Sequence, residues 1–388
     1  MIAYDKKMLD NEALIDEAGT LYNGGFISKD QKKFIEKELP VLKSQNNILV
    51  RIGFFLLGSM LFSSICGAIS IFGLQSEHTY FQICCYLFAI IGFIGTEMLA
   101  TQNYHNHGLD DAFILGALLN VGIAIAITTE GYEMIIALFV SIASLFIFLR
   151  YLHVLSMLVF CISTTAFLFY GMFEFGDIGK AILPFTAMIF AGVLYFLTKK
   201  AINRLTENYY YNGLLLANSF CLILFYLSCN YLVVRELSVA LLGADIKPGT
   251  DIPFAFFFYA FTLIVPIYYL VQALKTKDRL MLWISFLAIA FSIYTIRFYH
   301  SVLPVEVALT LGGAILFAIA YFSIRKLKEK ESGLTFKPDR ISHSDAILNA
   351  EALVVASTFG MKPEVKPQAS PMEFGGGGFS GGGSEGSF

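Results

Sequence analysis

The sequence predicts an all-α, polytopic membrane protein with about ten transmembrane helices and both termini in the cytoplasm. Three observations carry this expectation. Apolar segments follow one another almost without interruption from Val50 to Ile324. Hydrophobic residues make up 56% of the 388 positions and charged ones 15%; a soluble domain carries roughly 25% charged residues, and water does not tolerate such an apolar excess where a bilayer does. Lys and Arg, finally, gather in alternate loops. The chain divides into a helical-hairpin head over residues 1–49, a transmembrane domain over 50–324, and a tail over 325–388.

The head reads as two short helices. Leu14, Ile15, Ala18, Leu21 and Tyr22 recur at helical spacing as one apolar face, and Gly24-Gly25 ends it. Ser28-Lys29-Asp30-Gln31 has the form of a capping box, in which the serine hydroxyl accepts from the third backbone N–H and the glutamine reaches back. Phe34, Ile35, Leu39 and Leu42 form the second apolar face, and Pro40 bends or ends that helix. Two helices of this size make little core alone, so they are expected to pack on each other and on the membrane domain or a partner. The polar head also predicts that no signal peptide is cleaved and that the first span acts as the insertion signal.

Ten spans follow, at about 50–73, 80–100, 110–128, 133–149, 152–172, 180–198, 211–231, 253–274, 279–296 and 303–324. Segments of about 20 residues, at a rise of about 1.5 Å each, cover a hydrocarbon core of about 30 Å. The fourth and fifth spans are joined through Arg150-Tyr151-Leu152-His153 with no Gly or Pro, the least marked boundary of the set. Lys37, Lys43 and Arg51, then Arg150, then Lys199, Lys200 and Arg204, then Lys275, Lys277 and Arg279, then Arg325, Lys326, Lys328 and Lys330 fall on one side, against Lys180, Arg235, Lys247 and Arg297 on the other. The positive-inside rule makes the richer side cytoplasmic. Residues 232–252, with Leu237, Val239, Leu241 and Leu242 among polar positions, suit a short interfacial helix. The two five-span halves show no internal similarity of the kind that inverted-repeat transporters carry.

The tail has helical composition over Ser344–Thr358, then Pro363, Pro367 and Pro371 as an extended linker, then a Gly-rich end with Phe374, Phe379 and Phe388 as its aromatics. Those three phenylalanines are the candidate partner-binding residues: glycine lets a backbone lie close to a surface while spaced aromatic rings fill apolar pockets.

The remaining candidates are polar residues near span ends. His105 and His107, with Asp110 and Asp111, have the ligand types a divalent metal takes. The expectation is nevertheless no metal and no cofactor, with the histidines in a wet loop and Asp110 as the N-cap of the third span. Glu97, Arg297 and Glu306 form the candidate polar site; Glu97 lies within reach of the interface, and Arg297 and Glu306 flank one short turn as a local ion pair. Asn120 and Asn218 are deeper and are expected to join helices. The six cysteines all lie in apolar segments, with neither zinc nor disulfide spacing, and read as small buried hydrophobes. No catalytic triad order, P-loop or dinucleotide glycine pattern occurs, and the net charge of −3 gives no pull toward nucleic acid.

Two stretches resemble known families. Leu21-Tyr-Asn-Gly-Gly-Phe-Ile-Ser-Lys-Asp-Gln31, followed by Arg51-Ile-Gly-Phe-Phe-Leu-Leu-Gly58, resembles an uncharacterised family of bacterial predicted multi-pass membrane proteins that begin with a Gly-x-Ile-Ser-x-x-Gln helical head. The resemblance is specific over residues 20–60 and implies a bacterial cytoplasmic membrane with no known activity. The tail is similar in composition to the Gly-rich, aromatic-ended tails of bacterial TPM-domain membrane proteins, although no TPM domain is present, and no residue role carries over. The expected partners are the lipid bilayer and other proteins. The leading expectation is a non-enzymatic partner or scaffold in a membrane complex, with a transporter of a small solute or lipid second and an intramembrane enzyme third.

Overall fold

A computed structural model describes residues 2–299 apart from 24, 46, 72–77, 206–207, 243–250 and 277, and isolated positions from Val307 to Arg325. The described residues form helices, joined by turns and one isolated β-bridge. The head contains α1 (Lys6–Asn23) and α2 (Lys29–Glu38). The membrane domain begins with α3 (Ile48–Ser70), α4 (His78–Thr101), α5 (Leu109–Thr128), α6 (Glu133–Tyr151), α7 (Val154–Phe173) and α8 (Gly176–Arg204). It continues with α9 (Tyr211–Cys229), α10 (Tyr231–Leu242), α11 (Ala255–Thr276) and α12 (Arg279–Tyr299).

Nine of the described helices are long and apolar enough to cross a bilayer: α3 to α9, α11 and α12. They coincide with the first nine expected spans. The tenth lies outside the described residues, except for isolated positions such as Phe317 and Tyr321, which are helical. The short helix expected in 232–252 is α10.

Local chemistry explains most boundaries. Ser28 Oγ accepts from Gln31 N–H at 3.2 Å, and Gln31 Oε1 accepts from Ser28 N–H at 2.7 Å, so the expected capping box starts α2. The helix stops at Glu38, two residues before Pro40. The unmarked hairpin between α6 and α7 turns in two residues. Leu152 adopts a left-handed conformation at φ 55°, and His153 caps α7 by accepting the Ser156 N–H on Nδ1 at 3.2 Å. Pro184 and Pro266 lie inside α8 and α11.

Consecutive helices pair as hairpins, α4 with α5, α6 with α7, α8 with α9 and α11 with α12, while α5 also touches α3 and α6, and α9 touches α7, α11 and α12. Half of the most apolar stretch of α9 is buried, against 17% for α3, so α9 lies inside the bundle and α3 at its margin. Lipid is as apolar as leucine, so close packing, rather than escape from water, must hold such helices together. At Gly92 a β-carbon would come within 2.8 Å of Ala117 Cβ, which shows how closely α4 and α5 approach. Leu222, Tyr226, Val265, Tyr269 and Ile284 join α9, α11 and α12 in one apolar cluster. Five cysteines are buried, Cys66 is half-buried, and all six are free thiols.

The head's apolar faces differ from expectation. Leu9, Asn11 and Ala18 are the buried residues of α1, whereas Leu14, Leu21 and Tyr22 are exposed. On the second face Leu42 is buried but Phe34 is exposed. The reason is that the head is held by its two ends and the first turns of α1, where Met8 and Leu9 join the membrane-domain cluster. Ala3 and Tyr4 before α1, and Leu42 and Lys43 after α2, contact the membrane domain, leaving the outer face of the hairpin open.

Candidate functional site: polar clusters at the two ends of the bundle

The helix ends nearest the head carry the denser polar cluster. The segment 42–45 lies beside the α4–α5 loop: Lys43 N–H donates to the Asn103 carbonyl at 2.7 Å, His105 N–H to the Lys43 carbonyl at 3.2 Å, and Gln45 N–H to the Asn106 carbonyl at 3.3 Å. The Lys43 ammonium sits 4.6 Å from the Tyr104 ring centroid. Ala3 N–H donates to the Arg150 carbonyl at 2.8 Å, and the buried Tyr4 ring meets His105 edge-on at 4.9 Å. Asn11 donates to the Pro40 carbonyl, holding α1 to the end of α2. Tyr209, in the turn before α9, donates to Asp10.

Beneath this layer, charges from three helices converge. Arg51 of α3 donates through Nε to Asp111 Oδ2 of α5 at 2.7 Å. Asp111 Oδ1 faces His153 Nε2 at 3.2 Å, close enough for an ion pair without being aligned as a hydrogen bond. Arg51 also donates to Asn106 Oδ1 at 3.3 Å, which turns the Asn106 amide N–H group toward His105 Nε2, 3.0 Å away. A ring nitrogen that accepts from an amide is unprotonated. Burial works in the same direction and pushes the His105 imidazole down to about 4, against the pull of the Asp110 carboxylate. Burial likewise raises the Tyr4 phenol.

These positions correct the sequence reading. His105 and His107 are buried, 8% and 7% exposed, and do not sit in a wet loop. The N-cap of α5 is Gly108 at φ 106°, a conformation that favours glycine. Asp110 lies two residues inside the helix, and its Oδ1 accepts from the N–H groups of His107 and Gly108 at 3.0 and 2.9 Å. Among the described residues no group of three or more His, Cys, Asp or Glu side chains is placed to hold a metal ion.

Glu97 is fixed rather than merely near the interface. Its carboxylate takes both Nε, at 3.0 Å, and Nη2 of Arg150, and accepts from the Tyr151 hydroxyl at 2.7 Å. This ties the last turns of α4 and α6. Glu97 and Arg150 close one end of an open groove of about 770 Å³ between α4, α5 and α6.

The second cluster lies at the opposite end, where α9 gives way to α10 at Asn230. This residue is fully buried. Its Oδ1 accepts from Leu232 and Val233 N–H at 3.0 and 3.3 Å, capping α10, and its amide donates to Tyr226 and Thr295 at 3.0 and 3.2 Å. The Thr262 hydroxyl accepts from Tyr231 N–H at 3.0 Å, and Ser292 donates to the Thr262 carbonyl at 2.6 Å. Above this, Tyr231 stacks on Tyr259 with centroids 3.8 Å apart. The Tyr231 hydroxyl donates to Asp251 and accepts from Arg235, whose guanidinium also lies over Tyr299 at 4.7 Å. Tyr299 donates to Glu236 at 2.7 Å.

The other candidates divide. Asn218 accepts from Thr198 at 3.2 Å and joins α8 to α9 as expected. Asn120 instead donates to the Gly116 carbonyl of its own helix. Arg297 is half-buried in the last turn of α12; Glu306, its expected partner, and Phe374, Phe379 and Phe388 lie outside the described residues. Sequence reasoning missed Tyr4, Arg150, His153 and Asn230. A usable signal existed for one set: Arg51 and Asp111 have complementary charge and stand, with the polar His153, at the same-side ends of spans one, three and five. No family model, curated protein or solved structure matches the chain.

Proposed function

We propose that the chain is a non-enzymatic protein of a bacterial cytoplasmic membrane, acting as a partner or scaffold in a membrane complex through its cytoplasmic head and its Gly/Phe tail. One observation carries the reading. The head is fastened to the membrane domain at both of its ends, yet Phe26 and Phe34 are 80% and 66% exposed, with Leu14, Leu21 and Tyr22 beside them in sequence also open. An anchored hairpin that keeps large apolar side chains in water is suited to receive the apolar face of another protein. The resemblance of residues 20–60 to bacterial membrane proteins supports the compartment.

Site-specific photo-crosslinking from Phe26 and Phe34 in native membranes tests this. A discrete protein adduct from both positions, lost when the same probes are carried by a Leu21→Ser/Tyr22→Ser variant that keeps its melting temperature, supports the reading. Adducts to lipid alone, or none, overturn it.

The break between α9 and α10 favours transport as the second reading, because interrupted helices with exposed backbone ends hold substrates in many transporters. Here Asn230 itself occupies those ends. In a variant with the six native cysteines replaced, Thr262→Cys that reacts with a membrane-impermeant maleimide from both faces supports alternating access; protection from both faces removes it.

A further inference from the structure

We infer that the groove between α4, α5 and α6 is a binding site for one zwitterionic phospholipid carrying a primary ammonium group, with its headgroup on the Glu97–Arg150 pair and one acyl chain along α4. The inference does not depend on the scaffold reading. The groove is walled by Ile90, Phe93 and Ile94 of α4, Val121 of α5 and Phe146 of α6, and holds about 770 Å³. It opens on the outer surface of the bundle, where Ile90, Ile94 and Phe146 are each about half exposed. Among the described residues its charged lining is Glu97 and Arg150.

Length and charge specify the occupant. From Glu97 to Tyr86, the far lining residue, the groove follows α4 for about 16 Å at a rise of about 1.5 Å per residue. That is close to half of a hydrocarbon core of about 30 Å, the depth of one leaflet. Glu97 stands one turn before the end of α4 and Arg150 in the last turn of α6, the depth at which headgroups meet a span. Both side chains keep access to the outside, 39% and 29% exposed. Arg150 gives one N–H from Nε and one from Nη2 to Glu97 and also lies within reach of the Tyr151 hydroxyl; of its five N–H donors this leaves at least two that suit a phosphodiester. Glu97 Oε1 accepts only from Arg150 among the described residues and retains a lone pair for an ammonium N–H. The pair is neutral as a whole, so a headgroup of equal and opposite charges fits it. A headgroup with a phosphodiester but no ammonium would leave a net negative charge beside Glu97, whose own charge is already matched by Arg150, and a choline headgroup has no N–H to donate.

The experiment uses the full-length protein in mild detergent with phosphatidylethanolamine, phosphatidylcholine or phosphatidylglycerol of matched acyl chains, read by native mass spectrometry and thermal stability. One phosphatidylethanolamine per chain is expected to be retained, preferred by about tenfold over the other two, and to raise the melting temperature. Ile94→Trp fills the groove without touching the ion pair and should abolish that preference. Glu97→Gln leaves Arg150 positive and should move the preference to phosphatidylglycerol. Equal retention of the three lipids by the unaltered protein, an unchanged preference in Ile94→Trp, or continued preference for phosphatidylethanolamine in a folded Glu97→Gln variant overturns the inference.

Discussion

Arg51 at the start of α3 and Asp111 in the first turn of α5 are bonded at 2.7 Å, with His153 on the other side of the carboxylate. One carboxylate therefore ties the entry points of three helices. Removing it leaves a half-buried guanidinium uncompensated, which costs more than replacing the pair by apolar groups. Because the guanidinium keeps contact with solvent, Asp111→Ala should lose less than the ~3–5 kcal/mol of a fully buried pair, on the order of 1–3 kcal/mol, and the double variant Arg51→Met/Asp111→Leu less again. Melting temperatures in one detergent check this: a double variant no more stable than Asp111→Ala would mean that the two residues do not interact.

The cluster above this pair should sense pH through His105. Its folded value, about 4, lies below the ordinary 6.5. The unfolded chain therefore binds the extra proton first. Its contribution to stability is complete above about pH 6.5 and is lost as pH falls toward 4, at no more than about 1.4 kcal/mol per pH unit. Melting temperature measured from pH 7.5 to 5 should fall, and His105→Gln should flatten the slope. An unchanged slope in the variant would assign the loss to other groups.

At Gly108 the backbone is left-handed at φ 106°, and a β-carbon there would run into the Arg51 carbonyl oxygen. Gly108→Ala should cost about 1–3 kcal/mol from backbone strain alone, and should loosen the α3–α5 contact. Gly131 is also left-handed, at φ 84°, but nothing lies within 4 Å of its β-carbon position. Gly131→Ala should thus be the milder of the two in the same melting assay.

The nine described spans were legible because each depends on its own composition: a run of about 20 apolar residues forms a helix in lipid whatever its neighbours do. The capping box at Ser28 was legible for the same reason, since both of its bonds close within four residues. The polar clusters were not. Arg51 and Asp111 are separated by most of α3, by α4 and by the two connections on either side of α4, and a pattern of charges does not say which ends meet. Burial of His105 depends on Tyr4, a residue with no periodic signal around it. The two-residue turn at Leu152 was hidden because leucine there takes a conformation usually left to glycine, and because histidine is an uncommon cap.

Lys and Arg abundance assigns alternate loops to the cytoplasm, and the contacts of the head test that alternation from a separate direction. Segment 42–45 is bonded to the α4–α5 loop, Ala3 to the end of α6, and Tyr209 before α9 to Asp10 of α1. The head and those three connections therefore share one end of the bundle, which also carries Lys43, Arg51, Arg150 and Arg204. The positive-inside rule predicts that end on the cytoplasmic side. A reporter active only in the periplasm, fused after Thr79 or Lys247, should give signal; fusions after Thr101 or Lys277 should not. Signal after Thr101 would detach the α4–α5 loop from the head's side and contradict the bonds from Lys43. Signal after Lys277 with none after Thr101 would leave the head contacts intact and place the error in the α9–α11 region, where Asn230 interrupts the helix.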